Sequence, residues 1–142
     1  MLNDVVAGIA KALKQVRDIP VYSNEEVRQG IERPCFFIDF IGLTETPRLY
    51  PRFHRDQPFD IHYFSEEAGN RAEMYEMAEA MYPVLDFIEG LSGDKYHGTR
   101  MRHEIIDGVL HFFVNYNVHV YRPVTKETRM EEIKYEPKSE GR

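Results

Sequence analysis

The chain has 142 residues, 42% of them hydrophobic, and a formal charge of −6. That length fits one domain able to bury roughly two thirds of its unfolded surface without disulfide or metal staples. The negative balance argues against a nucleic-acid-binding surface, because affinity for phosphates depends on Lys and Arg displacing counterions.

Val5, Val6, Ile9, Leu13 and Val16 recur at helical spacing after Asn3, a good N-cap, and the pattern stops at Asp18-Ile19-Pro20. This predicts an amphipathic first helix. Met1-Leu2-Asn3-Asp4 opens into it without the basic and apolar regions of a signal peptide, so none is expected. Val21-Tyr22 starts a short strand, and Ser23-Asn24-Glu25-Glu26 reads as a turn or a helix start before Gln29-Gly30. Pro34 introduces Cys35 to Leu43, a strand too apolar at its start to be solvated on either face. Cys35, the sole cysteine, reads there as a buried small hydrophobe, as befits a protein assembled inside a cell. Thr44 to Pro58 is predicted to be the least regular stretch, because Pro47, Pro51 and Pro58 forbid a continuous central strand. Phe59 to Phe64 resumes as a strand antiparallel to the one starting at Cys35.

Asn70 and Glu73 fit a capping box. Met74, Met77, Ala78, Met81, Val84, Leu85 and Ile88 then follow at helical spacing, and Pro83 predicts either a kink near Glu79 or two short helices. The spacing of the methionines assigns them to core packing. Gly90 to Gly98 reads as a loop. Asp107-Gly108 between β-branched and aromatic runs specifies a two-residue type I′ turn, placing Ile106 opposite Val109, Ile105 opposite Leu110, His103 opposite Phe112 and Met101 opposite Val114. The second strand of this hairpin reads as 13 residues, Val109 to Tyr121, roughly 43 Å long. Its partner pairs back to about Gly98, so the far end must find another strand or lie at an edge. Leu110, Phe112, Val114, Tyr116, Val118 and Val120 form its apolar face; His111, Phe113, Asn115, Asn117, His119 and Tyr121 form the other.

The order of elements gives an α+β fold: an antiparallel or mixed sheet with a long C-terminal hairpin and two main helices packed on one face. Residues 1–123 form the domain. Residues 124–142 turn polar and charge-balanced and are expected to be a flexible tail. No apolar run approaches the roughly 20 residues of a membrane span.

No motif for catalysis, nucleotide binding or metal binding stands out. His111 and His119 lie roughly 26 Å apart along one strand and cannot share an ion. His103 falls on the apolar face as a hydrogen-bonded core or rim residue, and no HExxH, paired-cysteine or acidic cluster has coordination spacing. No catalytic, cofactor-binding or metal residue is therefore assigned, and no cofactor is expected. His54, Asp56 and Asp60 resemble a base with orienting carboxylates, but no nucleophile with a signature context accompanies them.

Charge is distributed unevenly. Glu66 to Glu89 holds seven acids and one base, including Glu73, Glu76 and Glu79, whereas Arg48, Arg52 and Arg55 cluster with His54 and are opposed locally by Asp56. A solvated helix face and a soluble loop would account for both; alternatively, the two features meet across a subunit interface, in head-to-tail, ring-forming contacts. Phe113 and Tyr121 on the hairpin's more polar face require cover, from a helix or from a partner subunit. The candidate interface residues are Arg48, Arg52, Arg55, Glu73, Glu76, Glu79, His111, Phe113 and Tyr121.

Several blocks in order carry a family resemblance: Met1 to Val6 with the helix to Leu13, Gln29-Gly30 before Pro34 to Ile38, Phe59 to Phe64, and Asp107 to Tyr116. The chain resembles small phage and prophage tail terminators, found especially in prophages of low-GC Gram-positive bacteria. These are similar to the tail terminator of phage lambda and to siphophage tail-to-head joining proteins. The resemblance implies a structural protein and no enzyme: a subunit of a hexameric ring, a homo-oligomer, on the last ring of tail-tube protein. That ring stops tube growth and offers a surface to head-completion or neck proteins. DNA would pass through without tight binding, and no membrane is involved. The place implied is the host cytoplasm during assembly and then the head-proximal end of the virion tail. The alternatives are another head-tail connector component, or a small α+β ligand-binding or enzymatic domain using His54, Asp56 and Asp60.

Overall fold

A computed structural model of the chain describes residues 1–23 and 30–123. Helix α1 spans Leu2–Val16 and buries Val5, Ile9, Ala12 and Leu13, the stripe its periodicity requires. It starts one residue before the expected cap. Met1 is the N-cap and makes no side-chain cap bond, while Val5 N–H donates to the Met1 carbonyl at 3.0 Å. This start places Asp4 in the first turn, where its carboxylate accepts bonds from Ser92 N–H (3.0 Å), Ser92 Oγ (2.6 Å) and Tyr96 OH (2.7 Å). Gly90 leaves room for that carboxylate; a Cβ there would lie 2.1 Å from Asp4 Oδ2.

The main sheet has six strands: β1 Val21–Ser23, β2 Cys35–Phe40, β5 Pro58–Phe64, β6 Phe87–Glu89, β7 Lys95–Ile106 and β8 Val109–Tyr116. Their spatial order is β1-β2-β5-β8-β7-β6. β1 pairs parallel to β2; β2–β5, β5–β8, β8–β7 and β7–β6 are antiparallel, so the sheet is mixed and the fold α+β. Helix α2, Arg71–Asp86, packs with α1 over one face. Phe36, Ile38, Phe59, Ile61, Tyr63, Leu110, Phe112, Val114 and Tyr116 meet Ile9, Leu13, Met74, Met81 and Leu85 in the core.

Asn70 caps α2 by accepting from Glu73 N–H at 3.2 Å, half of the expected capping box. The other half is diverted. Glu73 Oε2 accepts from Glu66 N–H (3.2 Å) and from Tyr63 OH, and lies 3.6 Å from Arg17 Nη1, so the tertiary partners displace the local one. Pro83 does not split the helix in two. It lies in the last turn, where its missing N–H forfeits one bond and little helix remains beyond it.

Three further expectations are corrected. Thr44 to Pro58 is largely strand: β3 is Thr44–Pro47, β4 is Arg52–Asp56, and β5 begins at Pro58. Pro47 and Pro58 stand at strand ends, where a lost N–H is tolerated. The loop after α2 is shorter than Gly90 to Gly98, because β6 and the start of β7 flank it. The 13-residue strand breaks at Asn117 into β8 and β9, Val118–Tyr121, and β9 joins β3 and β4 in a three-stranded sheet of order β3-β4-β9. The break follows a polar knot. Asn115 Oδ1 accepts from Gln57 N–H (2.8 Å), its Nδ2 donates to Asp56 (2.9 Å), and buried Gln57 donates to the Tyr116 carbonyl (3.1 Å).

The hairpin pairs Ile106 with Val109, Ile105 with Leu110 and His103 with Phe112, with Asp107 (φ 51°) and Gly108 (φ 75°) in the turn. Met101 does not pair with Val114. The register shifts between Thr99 and Arg102, so that Arg100 and Met101 both stand against Val114, a bulge with Arg100 at φ 54°.

The described residues form two units, Met1–Thr44 with Asp56–Val118, and Glu45–Arg55 with residues 119–123. The turn or helix start expected before Gln29 and the tail expected at 124–142 lie outside the described residues.

Candidate functional site

The sheet face opposite the helices carries the polar chemistry of the first unit. On β5, Asp60 and His62 alternate with buried Phe59, Ile61 and Tyr63; His111 of β8 stands directly opposite His62. His111 Nδ1 lies 3.0 Å from Asp60 Oδ2 and 3.1 Å from Oδ1, within hydrogen-bond geometry. His62 Nε2 approaches the same Oδ2 at 3.2 Å, and the imidazoles are 4.3 Å apart between centroids. The three side chains are 14 to 19% exposed. Burial pushes the Asp60 carboxyl up, but the close approach of His62 and His111 outweighs it and holds Asp60 below the ordinary carboxylate range. Phe37 meets the His62 ring edge-on at 5.3 Å, and Arg102 covers Phe113 at 4.0 Å.

No metal residue is assigned from the sequence, yet the fold brings ligand atoms of Asp60, His62 and His111 within 4.8 Å of one another. The trace of this cluster in the sequence is slight: Asp60-x-His62 places two side chains on one strand face, and only the β5–β8 register supplies His111. His103, by contrast, takes the rim position expected of it, with Nδ1 2.8 Å from Tyr82 OH. Cys35 is fully buried, and burial pushes its thiol up.

His54, Asp56 and Asp60 take separate partners: His54 packs against His119 at 5.3 Å, Asp56 accepts from Asn115, and Asp60 pairs with His111. A cleft of about 270 Å³ beside the bulge is lined by Asp56, Arg100 and Asn115 among others, but not by His54 or Asp60.

The expected interface residues are distributed as follows. Arg48 is exposed, and its N–H donates to the Arg52 carbonyl in the turn between β3 and β4. Arg55 lies 3.3 Å from Glu45, which also accepts from Arg122 at 2.6 Å, so Asp56 is not the sole local counter-charge to the basic cluster. Glu76 and Glu79 are exposed on α2, whereas Glu73 is engaged by Tyr63 and Arg17. His111 and Phe113 share the face of the main sheet opposite α1 and α2. Tyr121, 63% exposed, belongs to β9, so the three do not form one continuous strand face.

A family model described as phage tail terminator protein matches residues 4–128, most of the chain. The chain belongs to that family. No curated protein matches it. Tail terminators are structural proteins of the phage tail that act with other tail and head proteins, and the α+β fold of this terminator is as expected. No helix among its described residues is long and apolar enough to cross a membrane.

Proposed function

We propose that this chain caps the phage tail tube as a ring of identical subunits, six in number, stopping tube elongation and presenting the surface on which head-completion or neck proteins dock. The observation that carries this reading is the family match over residues 4–128. The charge supports it: six chains of −6 give −36 formally, and a ring that conducts DNA must not grip phosphate. The subunit acts without catalysis, assembles in the host cytoplasm and remains at the head-proximal end of the virion tail.

The proposed subunit contact brings the basic turn around Arg48 and Arg52 of one subunit against Glu76 and Glu79 of the next. His111 and Phe113 on the sheet face opposite α1 and α2, and Tyr121 on β9, are further contact surfaces. Arg55 and Glu73 support the contact from within, through their bonds to Glu45 and to Arg17 and Tyr63. Opposite charges placed this way steer a head-to-tail ring.

Two measurements test the proposal. Particles assembled without the protein are expected to carry overlong tail tubes; normal-length tails lacking heads would assign the chain to joining alone. Light scattering of the complex with tail-tube protein is expected to exceed the mass of the tube protein alone by six copies of the 16.8 kDa chain, about 101 kDa. Reversing Arg48 and Arg52 to Glu abolishes that ring at low salt if the charge contact holds, and an unchanged mass at low and high salt refutes it.

A further inference from the structure

The cluster on the sheet face opposite α1 and α2 has a feature that hydrogen bonding does not explain. His62 Nε2 is buried and lies at ion-pair distance, 3.2 Å, from Asp60 Oδ2, yet without the alignment of a hydrogen bond to it. A nitrogen so close to a carboxylate oxygen, but not directed at it, is the relation found between two ligands of one ion. In such a pair each ligand directs its lone pair at the ion and not at its neighbour. With metal–ligand bonds of about 2.0 to 2.1 Å, neighbouring ligand atoms stand about 2.9 Å apart in an octahedron and about 3.3 Å apart in a tetrahedron. The two edges at Asp60 Oδ2, 3.0 Å to His111 Nδ1 and 3.2 Å to His62 Nε2, fall in that interval. The three ligand atoms all lie within 4.8 Å of one another.

We propose that Asp60, His62 and His111 form a three-ligand site for a divalent transition ion of the zinc class, with a remaining position open to water or to a donor from a partner. Two imidazoles and one carboxylate suit zinc, cobalt or nickel and disfavour magnesium and calcium, which require oxygen ligands. The surroundings favour a cation. Asp39 stands opposite Asp60 on β2, and Glu104 stands opposite His111 on β7. Arg102 is turned onto the Phe113 ring and bonded to Glu104 at 2.6 Å, and Arg33 lies over the Phe64 ring at 5.4 Å, bonded to the Ser65 carbonyl. The site is built on paired strands, so its ligands are held by backbone register and not by a loop. Bound there, the ion ties β5 to β8 across the sheet face opposite α1 and α2. It stands independently of the tail-capping role.

The test uses the full chain, free of any histidine tag, stripped with chelator and titrated with zinc chloride at pH 7.5 by calorimetry. One ion per chain with micromolar or tighter affinity is expected, weakened at least tenfold in Asp60→Asn and in His111→Ala. His97→Ala, which removes the exposed partner of Asp86, leaves binding unchanged. No binding, or binding unaffected by the first two substitutions, overturns the proposal. Because those variants also lose fold contacts, the histidine resonances of the unsubstituted chain are followed in parallel. Zinc shifts the imidazole signals of His62 and His111; shifts confined to His54, His97, His103 or His119 overturn the site.

Discussion

Phe112 and Phe113 are adjacent on β8 and chemically identical, yet they face opposite sides of one sheet and do different work. Phe112 is fully buried and meets Tyr82 of α2 at 4.7 Å between ring centroids. Phe113 is half-buried, carries Arg102 on its face and neighbours the Asp60, His62 and His111 cluster. The same division runs along β5, where Phe59, Ile61 and Tyr63 are sealed under the helices while Asp60 and His62 are not. The helix-packed face holds the fold together, at roughly 1.5 to 3 kcal/mol per buried large side chain. Its reverse carries the polar side chains Asp60, His62 and His111, partly buried and paired with one another.

Truncating the pair is the strongest test of that division. Phe112→Ala is expected to cost about 3 to 5 kcal/mol in urea unfolding. Phe113→Ala should cost only about 1 to 2 kcal/mol, from partial burial and the lost contact with Arg102. Equal losses would abolish the distinction between the faces. Gly98→Ala should cost about 1 to 3 kcal/mol, since its Cβ would stand 2.6 Å from the Leu85 carbonyl where α2 lies on the sheet. A thermal melt indistinguishable from that of the unsubstituted chain would mean that this packing is loose. Tyr116→Phe removes the bond from Tyr116 OH to the same carbonyl, 2.7 Å long and fully buried. A loss of about 1 to 2 kcal/mol is expected, measured in the same melts.

The smallest effect lies at the molecule's edge, where Asp4 ties α1 to the loop before β7. Hydrogen bonds from Ser92 and Tyr96 lower its carboxyl from 3.8 to about 2. A depressed carboxyl stabilises the fold above its unfolded value and loses that contribution as the pH falls through the folded one. The melting temperature should therefore decline between about pH 4 and pH 2 more steeply in the unsubstituted chain than in Asp4→Asn. Parallel profiles would remove Asp4 from the account.

Both helices and the pairing around Asp107-Gly108 are legible in the sequence, because periodicity and turn chemistry act within a few residues. The bulge at Arg100 and Met101 is not. Strict alternation along β7 would turn either Tyr96 or His103 away from the core, and the extra residue lets both face it. No local residue type announces that need, which arises only when β7 must satisfy β6 at one end and β8 at the other. The Asn117 break has a cue in Asn115 and Asn117, but its cause lies in Gln57 and Asp56, far back in the chain. The second half of the capping box failed for the same reason: Glu73 had better partners in Tyr63 and Arg17 than in its own helix start.

By itself the sequence determined the α+β class, the stripes of α1 and α2, the hairpin register near its turn and the resemblance to tail terminators. Tertiary structure alone decided where the long strand leaves its sheet, which charges are engaged within the chain, and that Asp60 and His62 meet His111. The physical reason is reach. Periodicity and turn preference are properties of neighbouring residues, whereas the meeting of β5 with β8 depends on a register set by the whole buried face between them.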